Sequence, residues 1–379
     1  MTKAAELAKI GEVATNGQIG GRRNIVINGA MQVAQRATSV TGLGDDNDEN
    51  YPTVDRFEIA GNAGAGRFTM TQEAVTDLPG FPECIKLDCT TPDTSIAATE
   101  RLFIQTKIEG QDLQGIKKGT SEAEAITVSF YAKASASFKF VVALLDVDNN
   151  RYAGSTFDVT SSWQRFIVTF PADTDDGSSP FDNNKEDSLN LRFFLHGGSN
   201  YTSGTLSSTF ANTNNANTYD SNADSFYSSA DNNFFLTGVQ LEVGSQATPF
   251  EHRSFGEEFQ LCQRYYQEIT GSINNDALGD ADQVICPMLA YNATLGLGIV
   301  TFTTPMRGLP AIGFSAVGHF SKSTAGRGDD VTGLALYDAT TNATTRTAFI
   351  NITSGNSTAG GGVMVTKNTA ARLNFDAEL

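Results

Sequence analysis

Apolar and polar residues alternate along most of this chain. Ile126, Val128, Phe130 and Ala132 alternate with Thr127, Ser129, Tyr131 and Lys133. Phe138, Phe140, Val142 and Leu144 make the next such row, and Phe166, Val168 and Phe170 alternate with Arg165, Ile167 and Thr169. Leu189, Leu191, Phe193 and Leu195 alternate with Asn190, Arg192 and Phe194, and Phe235, Thr237, Val239, Leu241 and Val243 with Leu236, Gly238, Gln240 and Glu242. A period of two is the mark of a strand with one buried face. Turn signals separate the runs, at Asp146–Asn150 and Asp173–Gly177. Many short strands so spaced predict one sandwich or jelly roll over residues 55–250.

The pattern changes after Val243. Gly244 and Pro249 stop the last strand. Ser254 and Glu257 fit a capping box, and Phe255, Phe259, Cys262 and Tyr266 fall on one helical face, which predicts a linker helix within 253–269. Residues 270–379 return to strand periodicity: Ile299, Thr301 and Thr303 alternate with Val300 and Phe302, and further runs lie at 333–337, 347–352 and 362–365. At the start, Ala4, Leu7, Ile10 and Ala14 share a face, so residues 2–14 predict a short helix, which is marginal alone and must pack on something. Asn16-Gly17 and Gly20-Gly21 give it a flexible joint. The expected organisation is mainly β: an N-terminal helical anchor at 1–23, a jelly-roll sandwich at 24–252, the linker helix, and a smaller C-terminal β domain. Residues 24–60 are read as a strand, the acidic loop Asp45-Asp46-Asn47-Asp48-Glu49, and a second strand.

Two segments carry a family resemblance. TGVQLEVGSQATPFEHRSFGEEFQLCQRYYQ, ending at Gln267, resembles the linker of bacteriophage tail-fibre and related virion proteins. The second runs from Asn24 through Asn28-Gly29 and Met31 to Gln35-Arg36, with Asp55-Arg56-Phe57 behind it; Ala37 and Phe57 stand where the family usually has Gly and Trp. Thr304–Pro310 resembles a further phrase of the same family. The resemblance covers roughly residues 24–310. It implies a jelly roll similar to a carbohydrate-binding module, a homotrimer, and an N-terminal segment held by a portal, adaptor or tail component. It implies a virion location, on tail or capsid, after synthesis in the host cytoplasm.

Charge narrows the partners. The formal net charge is −17, and phosphate contacts need a basic surface, so nucleic acid is not expected. Anionic membranes are disfavoured on the same ground. No run of about 18 apolar residues occurs, and the first residues lack the apolar core of a secretory signal. Cys84, Cys89, Cys262 and Cys286 form no CxxC pair and are expected to be buried free thiols.

Candidate chemistry is sparse. His196, His252 and His319 fit no zinc pattern, and neither a GxSxG elbow nor a P-loop is present. GNAGAG at 61–66 is read as a hairpin turn. Asp146 with Asp148, or Asp173 with Asp175, could act as paired carboxylates on a glycoside, though acidic residues are also ordinary in turns. Asp45, Asp46 and Asp48 are candidates for a structural calcium, through oxygen ligands; no other cofactor is expected. The polar stretch from His196 to Asn233 is long for a compact domain. Its Tyr201, Tyr219, Phe226 and Tyr227 are candidates to stack on sugar rings; alternatively they pin the loop to the sandwich or fill a subunit interface. Trp163 is read as core packing.

The expected function is therefore a non-enzymatic structural virion protein, a tail fibre or receptor-binding protein that presents loops to host-surface glycan. A head fibre, capsid decoration or neck component is the alternative, and a glycan depolymerase the third.

Overall fold

The computed structural model describes residues 23–45, 48–62, 64–175, 177, 179–270, 284–292, 294–324, 327–336, 344–354, 361–366 and 370–379. The helix expected at 2–14 and all of the anchor but Arg23 lie outside them. The chain forms two compact units, a larger one ending at Glu258 and joined by Leu379, and a smaller one at Phe259–Glu378. Among the described residues no helix is long and apolar enough to cross a membrane.

The larger unit is a jelly-roll β-sandwich. Its strands are β1 (Ser39–Leu43), β2 (Asp48–Asn50), β3 (Glu58–Asn62), β4 (Arg67–Ala74), β5 (Glu83–Thr91), β6 (Arg101–Glu109), β7 (Ile126–Ala134), β8 (Phe138–Asp146), β9 (Arg151–Val159), β10 (Gln164–Phe170), β11 (Asp187–Gly197), β12 (Ala211–Asn212) and β13 (Asn233–Val243). One sheet has the order β1-β4-β5-β13-β7-β10, the other β12-β9-β8-β11-β6-β3-β2. Inward residues of both sheets meet in one core that contains Phe130, Phe140, Phe157, Phe193 and Phe234. Phe130 stands edge-on to Phe157 and to Phe193, with ring centroids 5.0 Å apart in each pair, the geometry that aromatic quadrupoles favour.

Two departures from simple alternation have local causes. In β13 the pairing with β7 slips between Thr237 and Gln240, a bulge that the left-handed Gly238 (φ 61) permits. Phe234 and Leu236 face the core before it, Val239 and Leu241 after it. Phe235 and Thr237 are thereby turned to the outer face, against the single phase read from sequence. In β7, Thr127 and Ser129 are buried although they follow the polar phase. The chain after β13 folds back over them: Thr127 Oγ1 donates to Gly244 O at 2.7 Å, and Thr248 N to Glu242 Oε2 at 3.0 Å.

The strands expected on either side of the acidic loop are β1 and β3, and the chain from Asn24 up to β1 forms no strand. Asn28 and Met31 take left-handed φ values of 61° and 59°, which break an extended run. The segment is nonetheless buried, as are Asp55, Arg56 and Phe57. The Asn28 carboxamide donates to Val33 O and Asp55 O, both at 2.8 Å, and accepts from Val33 N at 3.0 Å. The chain leaving β13 closes on the same segment. Glu251 accepts from the N–H of Arg23 and of Asn24, at 3.0 and 2.6 Å; Arg253 donates to Val26 O at 3.1 Å and pairs with Glu258. The two family-like segments, some two hundred residues apart, thus form one buried clasp.

The linker helix spans Phe255–Gln263. Ser254 Oγ accepts from Glu257 N at 3.3 Å, one half of the expected capping box. Tyr266 lies beyond the helix, in strand β14 (Tyr266–Thr270), and Phe255 is exposed. The smaller unit adds β15 (Val284–Ala290), β16 (Leu295–Thr301), β17 (Ala311–Phe314), β18 (Phe320–Thr324), β19 (Arg327–Leu336), β20 (Thr347–Ser354), β21 (Gly361–Thr366) and β22 (Arg372–Asp376). Six of these close a barrel, β15-β16-β20-β19-β18-β21, and β14-β22-β17 make a small sheet. Phe320, Ile350, Ile352 and Phe375 are in its core.

Candidate functional site

Three of the four loop aromatics do not reach solvent. Tyr219, Phe226 and Tyr227 are each at most 1% exposed, so no face remains for a sugar ring to stack on. The 196–233 loop is pinned to the sandwich. Tyr219 packs with Phe103, Val141, Ala143, Tyr152 and Phe194 on the outer face of the seven-stranded sheet, which explains why Val141 and Ala143 are buried on the nominally polar side. Tyr152 Oη donates to Thr218 O and Tyr219 Oη to Asp224 O, both at 2.6 Å. Phe226 and Tyr227 enter the main core beside Phe68. Buried His196 ties the base of the loop, with Nδ1 2.8 Å from Ser225 Oγ and Nε2 3.3 Å from Glu100 Oε2; burial holds the imidazole below its usual range. Tyr201 is the one member of the set left half-buried at the surface.

The acidic candidates are engaged in structure as well. Asp45 is exposed and bonded to Arg67 at 2.9 Å; Asp46 and the side chain of Asp48 lie outside the described residues. Asp173 receives Nε and Nη2 of Arg151 at 2.7 and 2.8 Å, Asp175 accepts from the same guanidinium, and Lys118 meets Asp146 at 2.6 Å. Asp146 and Asp173 are buried and each is taken up by a cation, so neither carboxyl presents a free face to a glycosidic bond. Asp148 accepts from Asp182 N at 2.9 Å, a contact between two loops.

The outer face of the six-stranded sheet offers a different set. One end is covered by Phe81, Tyr131, Phe250 and His252, whose rings pack 4.9–5.3 Å apart. The other end is open, and a row of side chains crosses it from Trp163, just before β10, through Lys133 and Phe235 to Lys86. Register places Phe235 between Lys133 and Lys86 on its two neighbours. Lys133 Nζ sits 4.9 Å from the centroids of both Trp163 and Phe235, and Lys86 Nζ 5.6 Å from that of Phe235, so two ammonium groups flank the phenyl ring. Asp77 locks the row: it accepts from Trp163 Nε1 at 2.8 Å and from Lys133 at 2.7 Å. Those two hydrogen bonds hold the Asp77 carboxyl below its usual range. Lys86 pairs with Glu73 at 3.1 Å.

Trp163 is therefore not core, and the signal for this lay in the sequence. It shares the phase of Arg165, Ile167 and Thr169, not that of Phe166, Val168 and Phe170. Phe235 was hidden by the bulge, which periodicity alone does not reveal.

No protein-family model and no curated protein matches this sequence. Among solved structures, a family 30 carbohydrate-binding module is 11% identical, covers 62% of this chain and 93% of its own, and has a TM-score of 0.29. A CBM61 module in complex with β-1,4-galactotriose is 9% identical over 59% of this chain and 99% of its own, with a TM-score of 0.30. The enzymatically active domain of tailspike protein 4 of bacteriophage CBA120 is 11% identical over 58% of this chain, which spans 21% of that protein, with a TM-score of 0.29. Likeness at this level transfers no residue role, and the strand order itself carries the fold.

Proposed function

We propose that the larger unit is a non-catalytic saccharide-binding module of a virion fibre, and that the Trp163–Lys133–Phe235–Lys86 row is its binding platform. The observation that carries this reading is the half-buried indole fixed from behind. Asp77 and Lys133 hold Trp163 in one orientation, so little side-chain freedom remains to be lost when a ring stacks on it. Lysine and carboxylate groups beside the two rings can take hydroxyls, the usual division between apolar stacking and a few orienting polar groups. The two lysines are already matched by Asp77 and Glu73, which favours an uncharged sugar.

The virion role rests on the two family-like segments, which the fold brings into one clasp. On this reading the protein is a homotrimer whose N-terminal segment joins it to other virion proteins, and it works outside the cell as a host-attachment fibre. The test is retention of the full chain on host-surface polysaccharide, with Trp163→Ala beside it. The variant is expected to lose about tenfold or more in affinity, as for an anchor aromatic, with its melting temperature little changed. Equal retention by both proteins overturns the platform. A mass measurement that finds only monomer across a wide concentration range overturns the trimer.

A further inference from the structure

The opposite sheet carries a second concentration of unspent chemistry. On the outer face of β6 and β11, beside the pinned loop, two guanidinium groups bear on one phenyl ring. Arg192 Cζ lies 4.6 Å and Arg101 Cζ 5.6 Å from the Phe103 centroid, and Arg101 is also 5.6 Å from that of Tyr201. Each guanidinium has five donors in a fixed fork. Arg192 spends one, from Nε to Gln105 Oε1 at 2.8 Å. The Arg101 side chain has no hydrogen bond among the described residues: the carboxylate of Glu49 is at 3.7 Å and largely exposed, and the Arg101 Nε is buried without a partner.

The remaining charged groups nearby are committed elsewhere. Glu58 is held by Lys107 at 3.0 Å and by the Gln105 amide. Asp187 is bonded to the Asn190 side chain. Burial disfavours the Arg192 charge most and the positive charge of Arg101 adds to that, while Tyr152, Asp187 and Glu58 offset it in part. Like charges brought together over an apolar floor, with most donors unused, are an unfavourable arrangement that an oxyanion would relieve.

We infer that Arg101 and Arg192, over Phe103 and beside Tyr201, form a binding site for the oxyanion of an acidic saccharide, a uronate carboxylate or a sugar phosphate. Guanidinium forks match both planar carboxylate and phosphate; buried Phe103 holds the two guanidiniums in place, and the half-buried ring of Tyr201 beside Arg101 suits the apolar face of the sugar that bears the oxyanion. The site is separate from the Trp163 platform, so each can fail without the other.

The experiment titrates the full chain with a galacturonate tetramer, with its neutral galactose counterpart, and with glucose 6-phosphate. Acidic probes are expected to bind and the neutral one not to bind at this face. Arg101→Gln and Arg192→Gln should each weaken acidic binding about tenfold, the worth of one charge-assisted hydrogen bond. Glu49→Gln should strengthen it, and Trp163→Ala should leave it unchanged. Arg192→Lys, which keeps charge and much of the packing, should retain part of the affinity and guards against a folding defect. A tighter tetramer assigns the carboxylate and a tighter sugar phosphate assigns the phosphate. The inference is overturned if neither acidic probe binds at millimolar concentration, or if binding is indifferent to both glutamine variants.

Discussion

Replacing Asn28 by alanine should damage the larger unit more than any single exposed change. The carboxamide makes three buried hydrogen bonds, to Val33 N, Val33 O and Asp55 O. Val33 O keeps a second donor in Asp55 N at 3.0 Å, so two backbone groups, Val33 N and Asp55 O, lose their side-chain partner. Each such orphan costs about 1–3 kcal/mol. The residue also has φ 61, where a Cβ without a compensating polar group costs about 1 kcal/mol. The sum is about 3–7 kcal/mol, a large part of the roughly 5–15 kcal/mol that holds a typical domain folded. Trp163 is the only tryptophan, so its fluorescence during urea unfolding reports on this unit alone. Asn28→Gly should recover about 1 kcal/mol of the loss by relieving the backbone while leaving the orphans. An alanine variant within about 1 kcal/mol of the parent would refute the claim that this side chain holds the clasp.

Other outcomes are as specific. His196 is held below its ordinary value by burial, so the unfolded chain takes a proton first as pH falls below about 6.5, and stability should drop there; His196→Gln should flatten that slope in a melting series. Asp187 is pushed up to about 6 by burial, from 3.8. The folded state binds that proton first, so its contribution to stability falls as pH rises through 3.8 to 6; Asp187→Asn should melt higher than the parent at pH 7.5 and not at pH 3.5. Burial pushes the thiols of Cys84 and Cys286 up to about 12 and that of Cys89 to about 11. All four cysteines are buried thiols outside any disulfide, so a thiol reagent at pH 8 should find none in the native protein and four after denaturation. Tyr219→Ala should release the 196–233 loop to limited proteolysis while the rest of the sandwich stays protected.

Where one face of a strand was buried and the other wet, alternation was enough to read the fold. β7, β8, β10 and β11 lie where the sequence put them, and Phe130, Phe140, Phe170 and Phe193 face the core as expected. The site was less legible because its residues depend on events that periodicity does not record. A loop laid over the seven-stranded sheet buried Tyr219 on what looked like a solvent side. A bulge at Gly238 turned Phe235 outward, and the left-handed Asn28 and Met31 fold the chain after Asn24 into a clasp that no periodicity announces. Trp163 was readable, since strand phase alone sets its side; the expectation of core packing came from its residue type and its neighbours, not from phase.

The clasp also determines how the sandwich sits in a longer polypeptide. Arg23 and Asn24 donate to Glu251, and Arg253 to Val26, so the chain enters and leaves the sandwich at one place. A domain with adjoining ends can be inserted, exchanged or excised with a short bridge, because the flanking backbone barely shifts. Selection could then trade one set of exposed loops for another as a cassette, keeping the two short segments that fasten the doorway and leaving everything beyond them free to diverge.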